Sequence, residues 1–242
     1  MDRGFFLNGE WQMRTSADRF DILNPATGEA EGSTLMADGA VVDEAVGHAE
    51  RVAREFADMP ADARATILNK TADLMEQRVD EMSRLLTREQ GKPVYDNTKE
   101  ILFGAEVLRY YAAEAVRMHG SLRVSASPHI KNIVSYHPVG VTAAIVPWNY
   151  PIDLYCWKIG PAIATGCPMI VKPPHETPLA ITMLVDCLHE AGVPAGALAD
   201  LPGLGPVAGS ALARHPRIRM ISATASIAAG QDIIRNAAGN LK

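Results

Sequence analysis

Residues 1–121 and residues 139–242 carry two different hydrophobic rhythms. In the first stretch apolar positions recur at helical spacing. Val42, Ala45, Val46, Ala49 and Val52 predict an amphipathic helix over Asp38–Phe56. Ile67, Leu68, Leu74, Met75, Val79, Met82, Leu85 and Leu86 predict another over Asp62–Glu89, stopped by Gln90-Gly91-Lys92-Pro93. A third is expected over Asn97–His119. Ahead of these helices, Phe5–Trp11 and Arg19–Leu23 read as short strands, and Asn24-Pro25-Ala26-Thr27-Gly28-Glu29 as a turn.

From Val139 onward strand and helix alternate. Strands are predicted at Val139–Val146, Met169–Val171, Ala197–Leu201 and Arg219–Ser222. Helices are predicted between and after them, at Ile152–Thr165, Pro178–Ala191, Pro206–Arg214 and Ile227–Ala238. This is the pattern of an α/β, doubly wound, Rossmann-like parallel sheet, which binds ligands at the carboxyl ends of its strands. Leu122–Ser127 and Ile130–His137, joined through Pro128, predict a hairpin between the two halves. The expected organisation is thus strands and helices over 1–121, a hairpin over 122–138, and βα units over 139–242.

Composition narrows the class without naming a function. With 48% hydrophobic and 21% charged residues among 242, the chain has an ordinary globular balance and enough apolar material for a core. A net charge of −5 with interspersed signs gives no electrostatic case for nucleic acid or an anionic membrane. Phe5-Phe6-Leu7 is too short for a signal-peptide core, and no apolar stretch is long enough to span a bilayer. Three cysteines without metal-type spacing suit a reducing compartment, so the cytoplasm is the expected location. His137, His175, His189 and His215 show no metal-ligand spacing either.

Candidate chemistry clusters at the predicted strand ends. Asn149, in Pro147-Trp148-Asn149-Tyr150-Pro151, lies just past a strand, where its amide N–H would suit a developing oxyanion. It would equally suit bonding the backbone of its own turn. Lys172 ends a buried strand, where an ammonium is costly unless it reaches solvent or a polar ligand. Gly203-Leu204-Gly205-Pro206-Val207-Ala208-Gly209 opens a helix after a strand, a position where glycine serves phosphate approach or simple packing. Cys156, Cys167 and Cys187 fall in or beside apolar elements and read as small core hydrophobes.

Taken in order along the whole chain, these segments resemble the aldehyde dehydrogenase superfamily. The resemblance rests on Phe6-Leu7-Asn8-Gly9-Glu10-Trp11, Thr87-Arg88-Glu89-Gln90-Gly91-Lys92-Pro93, the Pro147–Pro151 turn and Lys172-Pro173-Pro174-His175-Glu176-Thr177-Pro178. It implies NAD or NADP as cofactor, flanked by Pro147 and Trp148. Lys172 and the residue at His175 would hold the adenosine ribose, and Gly205, Gly209 and Ser226 the phosphate-side turns. It implies Asn149 as the oxyanion donor and Tyr150 and Trp157 as substrate-binding walls. An indole at Trp157 suits an amine or ammonium aldehyde, or is simply buried against the sheet. The hairpin is implied to serve oligomerisation, so a homo-oligomer is expected.

Three departures speak against nucleotide binding. His175 stands where many family members carry Glu, whose carboxylate accepts ribose hydroxyls. Ile221-Ser222-Ala223-Thr224-Ala225-Ser226 aligns with Ser-Phe-Thr-Gly-Ser, so Ala223 replaces an aromatic and Ala225 a glycine. A methyl group at Ala225 is expected to block either a positive φ or close approach to phosphate.

In the family the general-base Glu follows shortly after an Asn-Leu-Lys like Asn240-Leu241-Lys242, and the nucleophilic Cys later still. Aldehyde oxidation by this chain alone is therefore not expected. A partner chain or self-association is expected to cover the sheet face that would meet the missing half. The leading expectation is a truncated homologue repurposed to bind an aldehyde, imine or related small molecule and promote a non-redox step. The alternatives are the NAD(P)-binding half of a split dehydrogenase and a non-catalytic interaction protein.

Overall fold

The computed structural model describes residues 1–15, 17–240 and 242, so Leu241 of the Asn240–Lys242 segment lies outside the described residues. The chain opens with β1 (Asp2–Arg3), β2 (Phe5–Leu7), β3 (Glu10–Gln12), β4 (Arg19–Leu23) and β5 (Ala30–Leu35). Asn8 and Gly9, at φ 51° and 85°, make the tight turn that pairs β2 with β3. Helices α1 (Gly39–Asp58), α2 (Ala61–Gln77), α3 (Val79–Gln90) and α4 (Val94–Arg117) follow, and then the hairpin β6 (Ser121–Val124) and β7 (Lys131–Val134). The rest alternates: β8 (Thr142–Ile145), α5 (Pro151–Thr165), β9 (Met169–Lys172), α6 (Leu179–Ala191), β10 (Leu198–Asp200), α7 (Ser210–Arg214), β11 (Met220–Ala223) and α8 (Ile227–Ala237).

One expected helix is in fact two. The apolar period runs unbroken from Ile67 to Leu86, yet the helix breaks at Arg78, whose backbone sits at φ −104°, ψ 9°. No Gly or Pro marks the break. The change of direction lets α3 carry Glu89 under the start of α6, where its carboxylate accepts from Leu179 N at 2.7 Å and Ala180 N at 2.8 Å. Two further expectations are trimmed. Val139–Gly140 stays outside β8, with Gly140 at φ 101°, and the helix expected at Pro206 begins as a π-helical turn, Gly205–Gly209.

The main sheet has the order β11-β8-β9-β10-β2-β3. Its first four strands are parallel, and β2 joins β10 antiparallel, so the N-terminal hairpin extends the sheet. Every residue of β8, β9 and β10 is buried, as expected for strands covered on both faces. One cover is α2, α4, α5 and α6, packed through residues such as Leu68, Met75, Ile152 and Leu184. The other is α1 and α7, packed through Val42, Val46, Ile170 and Leu212. In the register, Ile145 pairs with both Lys172 and Ala223, and Asp200 with Val171. The turns after all four parallel strands therefore emerge on one side of the sheet. No helix among the described residues is long and apolar enough to cross a membrane.

Candidate functional site

Two places on that side of the sheet hold the predicted site residues. The first is the turn from β8 into α5. Pro151 occupies the first helical turn, where its missing N–H costs nothing. The turn is held from outside by α3 and the segment after it. Gln90 Nε2 donates to the carbonyls of Trp148 at 2.7 Å and Asn149 at 2.9 Å. Lys92 Nζ reaches the Asn149 carbonyl at 3.4 Å, stands 4.1 Å above the Tyr150 ring, and is paired to Glu100. Glu100, buried on α4, caps α5 by accepting from Ile152 N at 2.9 Å. Burial pushes its carboxyl up, opposed by Lys92 and the two α5 amides. The backbone of Asn149 is thus fixed, while its exposed side-chain amide makes no hydrogen bond among the described residues. The local alternative, an Asn spent on its own turn, is not what the structure shows.

Trp157 lies two turns along α5, 38% exposed, edge-on to Tyr111 at 5.9 Å and tilted against Phe103 at 6.5 Å. Its indole also borders an apolar cavity of about 230 Å³ with Val139, Pro161, Met169 and Met220. Tyr150 is half exposed, but one face of its ring is already taken by Lys92. Asp153 sits between them on the first turn of α5. Burial and the neighbouring Glu100 raise its carboxyl to about 6, opposed by Trp157 and Lys92.

The second place is a crevice of about 470 Å³ between α7 and α8, walled by Ile145, Gly205, Gly209, Arg214, Asp232 and Asn236. Each glycine of the turn has its own reason. A methyl group on Gly203 would stand 2.7 Å from Ala208 Cβ and 3.1 Å from the Ala37 carbonyl, so packing requires glycine there. On Gly205 it would meet nothing within 4 Å, so bare backbone faces the crevice. On Gly209 it would make ordinary contact, 3.5 Å from Ile145 Cδ1 and 3.8 Å from Lys172 Cδ. Across the crevice, Ser226 caps α8 by accepting from Ala229 N at 3.3 Å. Ala225 is not among the residues with positive φ, so its turn does not depend on the glycine it lacks.

Other predicted residues stand apart from the crevice walls. Pro147 and Trp148 belong to the Asn149 turn, with Trp148 56% exposed. Lys172 is 5% exposed and donates to the carbonyls of Pro173 at 2.7 Å and Gly203 at 3.1 Å. Burial brings its ammonium down to about 8, with Glu176 and Asp200 opposing. His175 packs edge-on to Phe20 of β4, ring centroids 5.0 Å apart, with Nδ1 3.1 Å from Glu176. Burial lowers its pKa, as does Lys172, while Glu176 opposes them.

Sequence reasoning missed Gln90, Lys92, Glu100 and Asp153. The first two stood in a segment quoted only for its likeness. A signal was present at Asp153: an acid in the first turn of an otherwise apolar helix. All three cysteines are buried; burial raises the Cys156 thiol well above its usual value and Cys187 to about 11.

A doubly wound sheet with a glycine turn and an open crevice at its strand ends defines a dinucleotide-fold domain. The chain belongs to the aldehyde dehydrogenase family, whose model, described as "Aldehyde dehydrogenase family", matches residues 11–242. It is 34% identical to the glutarate-semialdehyde dehydrogenase of Pseudomonas putida over 98% of this chain and 49% of that protein. It is also 34% identical to the NADP(+) succinate-semialdehyde dehydrogenase of Escherichia coli, over 98% of this chain and 49% of that protein. Among solved structures, PnpE in complex with nicotinamide adenine dinucleotide superposes at TM-score 0.96 with 32% identity, covering all of this chain and 50% of PnpE. The chain spans about half the length of the curated relatives it matches, corresponding to an N-terminal half.

Proposed function

We propose that this chain supplies the nucleotide crevice and the carbonyl-polarising donor of an NAD(P)-dependent aldehyde-oxidising site. The observation that carries the reading is the open crevice: Gly205 faces space, Ser226 still caps α8, and the Ala225 turn needs no positive φ. The substitutions that favoured a non-redox role therefore leave room for a nucleotide. Gly205, Gly209 and the start of α8 would hold its phosphates, and the bound group would supply a hydride acceptor. Asn149, with its backbone clamped and its amide unengaged, would donate to the carbonyl oxygen. Such pre-set donors are worth about 10²–10³ in rate.

The thiol nucleophile of that chemistry would come from polypeptide other than the residues described, since none of the three cysteines is exposed. The surfaces for such contacts are the unpaired edge of β11 and the exposed Ile227 and Ile234 of α8. The hairpin β6–β7, with Val124 and Ile133 exposed, would meet a second copy. A second reading keeps the carbonyl site without the nucleotide. It is favoured by Lys172, whose ammonium is already satisfied by backbone carbonyls and would have to leave them to reach a ribose.

Calorimetric titration with NAD and NADP decides between the two. Binding of either, lost in Gly205→Val, supports the nucleotide reading. Saturating binding would also raise stability by about 2.7 kcal/mol at a hundredfold excess over Kd. No heat and no thermal shift with either nucleotide would defeat it in favour of the second reading.

A further inference from the structure

Two consecutive residues at the end of α3 hold two different turns on the strand-end side of the sheet. Glu89 is buried and caps α6, accepting from the amides of Leu179 and Ala180 at 2.7 and 2.8 Å. Gln90 donates to the carbonyls of Trp148 and Asn149 at 2.7 and 2.9 Å. The turn ahead of α5 carries Asn149, and the turn ahead of α6 follows Lys172. Their strands, β8 and β9, are neighbours, and the last ladder bond between them runs from Val146 N to the Lys172 carbonyl at 3.2 Å. Past that bond no hydrogen bond among the described residues joins the two turns directly, and α3 is the piece bonded to both. The end of α3 is a firm link. Gly91 closes it at φ 85°, its N–H on the Thr87 carbonyl at 2.8 Å, and a methyl group there would stand 2.8 Å from Pro25 Cγ. Arg88 also reaches Glu31 at 2.9 Å, but that ion pair is half exposed and weak beside two bonds to buried amides. Adjacent residues of a hydrogen-bonded helix shift together, so what fixes Glu89 fixes Gln90.

We propose that Glu89 is a positioning residue for Asn149, acting through α3 and Gln90: its bonds to α6 set the helix end from which Gln90 holds the Asn149 turn. Glu89 bonds no residue of that turn, yet the aim of the Asn149 amide depends on it. The two turns are therefore set together, and a ligand that draws on the start of α6 also shifts the carbonyl donor. The assignment takes Asn149 as that donor from the reading above, but does not depend on nucleotide binding.

Amide hydrogen exchange of the purified chain, resolved by residue, tests it. Glu89→Gln keeps the side-chain shape but turns one acceptor into a donor facing an amide. It is expected to speed exchange across 148–153 about fivefold, the weight of one net hydrogen bond, with α7 and α8 unchanged. Added to Gln90→Leu, the same change is expected to do nothing further at 148–153, because the path is already cut. Ile181→Val is the control: it loosens the buried face of α6 just past the cap, removes no bond to α3, and is expected to leave 148–153 as it was. Glu89→Asp, shorter by one methylene, is a second variant with the same expectation as Glu89→Gln, and thermal melts confirm that each folds. Faster exchange confined to the start of α6 overturns the assignment. So does a full additional effect in the Gln90→Leu background, or an equal effect of Ile181→Val. The nucleotide titration above is independent of these results, so a lost linkage with NAD(P) binding intact refutes the role of Glu89 alone.

Discussion

Asp200 should make this protein less stable as the pH rises, and replacing it should remove its share of that loss. Among the described residues the carboxyl, fully buried on β10, accepts only the Tyr155 hydroxyl at 3.2 Å and leaves Oδ2 without a partner. Burial raises its pKa from the ordinary 3.8 to about 7, with the Tyr155 hydrogen bond and Lys172 opposing. The folded state therefore holds a proton that the unfolded state releases. Its stabilising effect is complete below pH 3.8 and is lost as pH climbs through about 7. The full cost of ionisation is about 4 kcal/mol, of which roughly 2.5 falls between pH 5 and pH 8. Asp200→Asn keeps an acceptor for Tyr155 and removes the titration, but places an amide N–H where Oδ2 found no partner, costing about 1–3 kcal/mol.

The variant should thus match or fall slightly below the parent at pH 5 and exceed it by about 1–3 kcal/mol at pH 8. Urea unfolding followed by far-ultraviolet circular dichroism at both pH values measures this. Taking the difference between variant and parent cancels the other raised carboxyls, Glu89, Glu100 and Asp153, which titrate in both proteins. A difference that stays constant within 0.5 kcal/mol, roughly the error of such extrapolations, refutes the reasoning.

The glycine turn offers a paired test: Gly203→Ala should cost about 1–3 kcal/mol through overpacking against Ala208 and Ala37, while Gly205→Ala should leave urea stability within about 0.5 kcal/mol. Glu89→Leu strands the amides of Leu179 and Ala180 at the start of α6 and should destabilise by about 2–4 kcal/mol, read by thermal unfolding; Glu89→Gln, which keeps one acceptor, should lose less. Gln90→Leu releases the carbonyls of Trp148 and Asn149 and should speed amide hydrogen exchange across 148–153, with no change in the α7–α8 region.

What the sequence made legible, and what it hid, divides along the range of the interactions. The βα alternation after Val139 is local: each strand is a short apolar run between turn residues, and each helix has its own period. Asn8-Gly9 is local too, since two residues decide that hairpin. The break at Arg78 is not. Its residues keep a helical period straight through it, and only Glu89 reaching the amides of α6, ninety positions on, shows why the chain must turn. The pairing of β2 with β10 is hidden for the same reason: Phe6 meets Asp200 across most of the chain, and neither segment encodes its partner.

The candidate site follows the same rule. Asn149 was legible because its turn carries its own signature, whereas Gln90, Lys92 and Glu100, which fix that turn, lie some fifty to sixty residues upstream. His175 and Ala225 are the converse case, local changes in a pattern whose surroundings lie elsewhere in the chain: His175 packs on Phe20, outside the crevice walls, and Ala225 occupies a turn without a positive φ. A substitution in a motif bears on function only through the atoms it moves, so the altered motif residues weigh less here than the unaltered backbone they sit on.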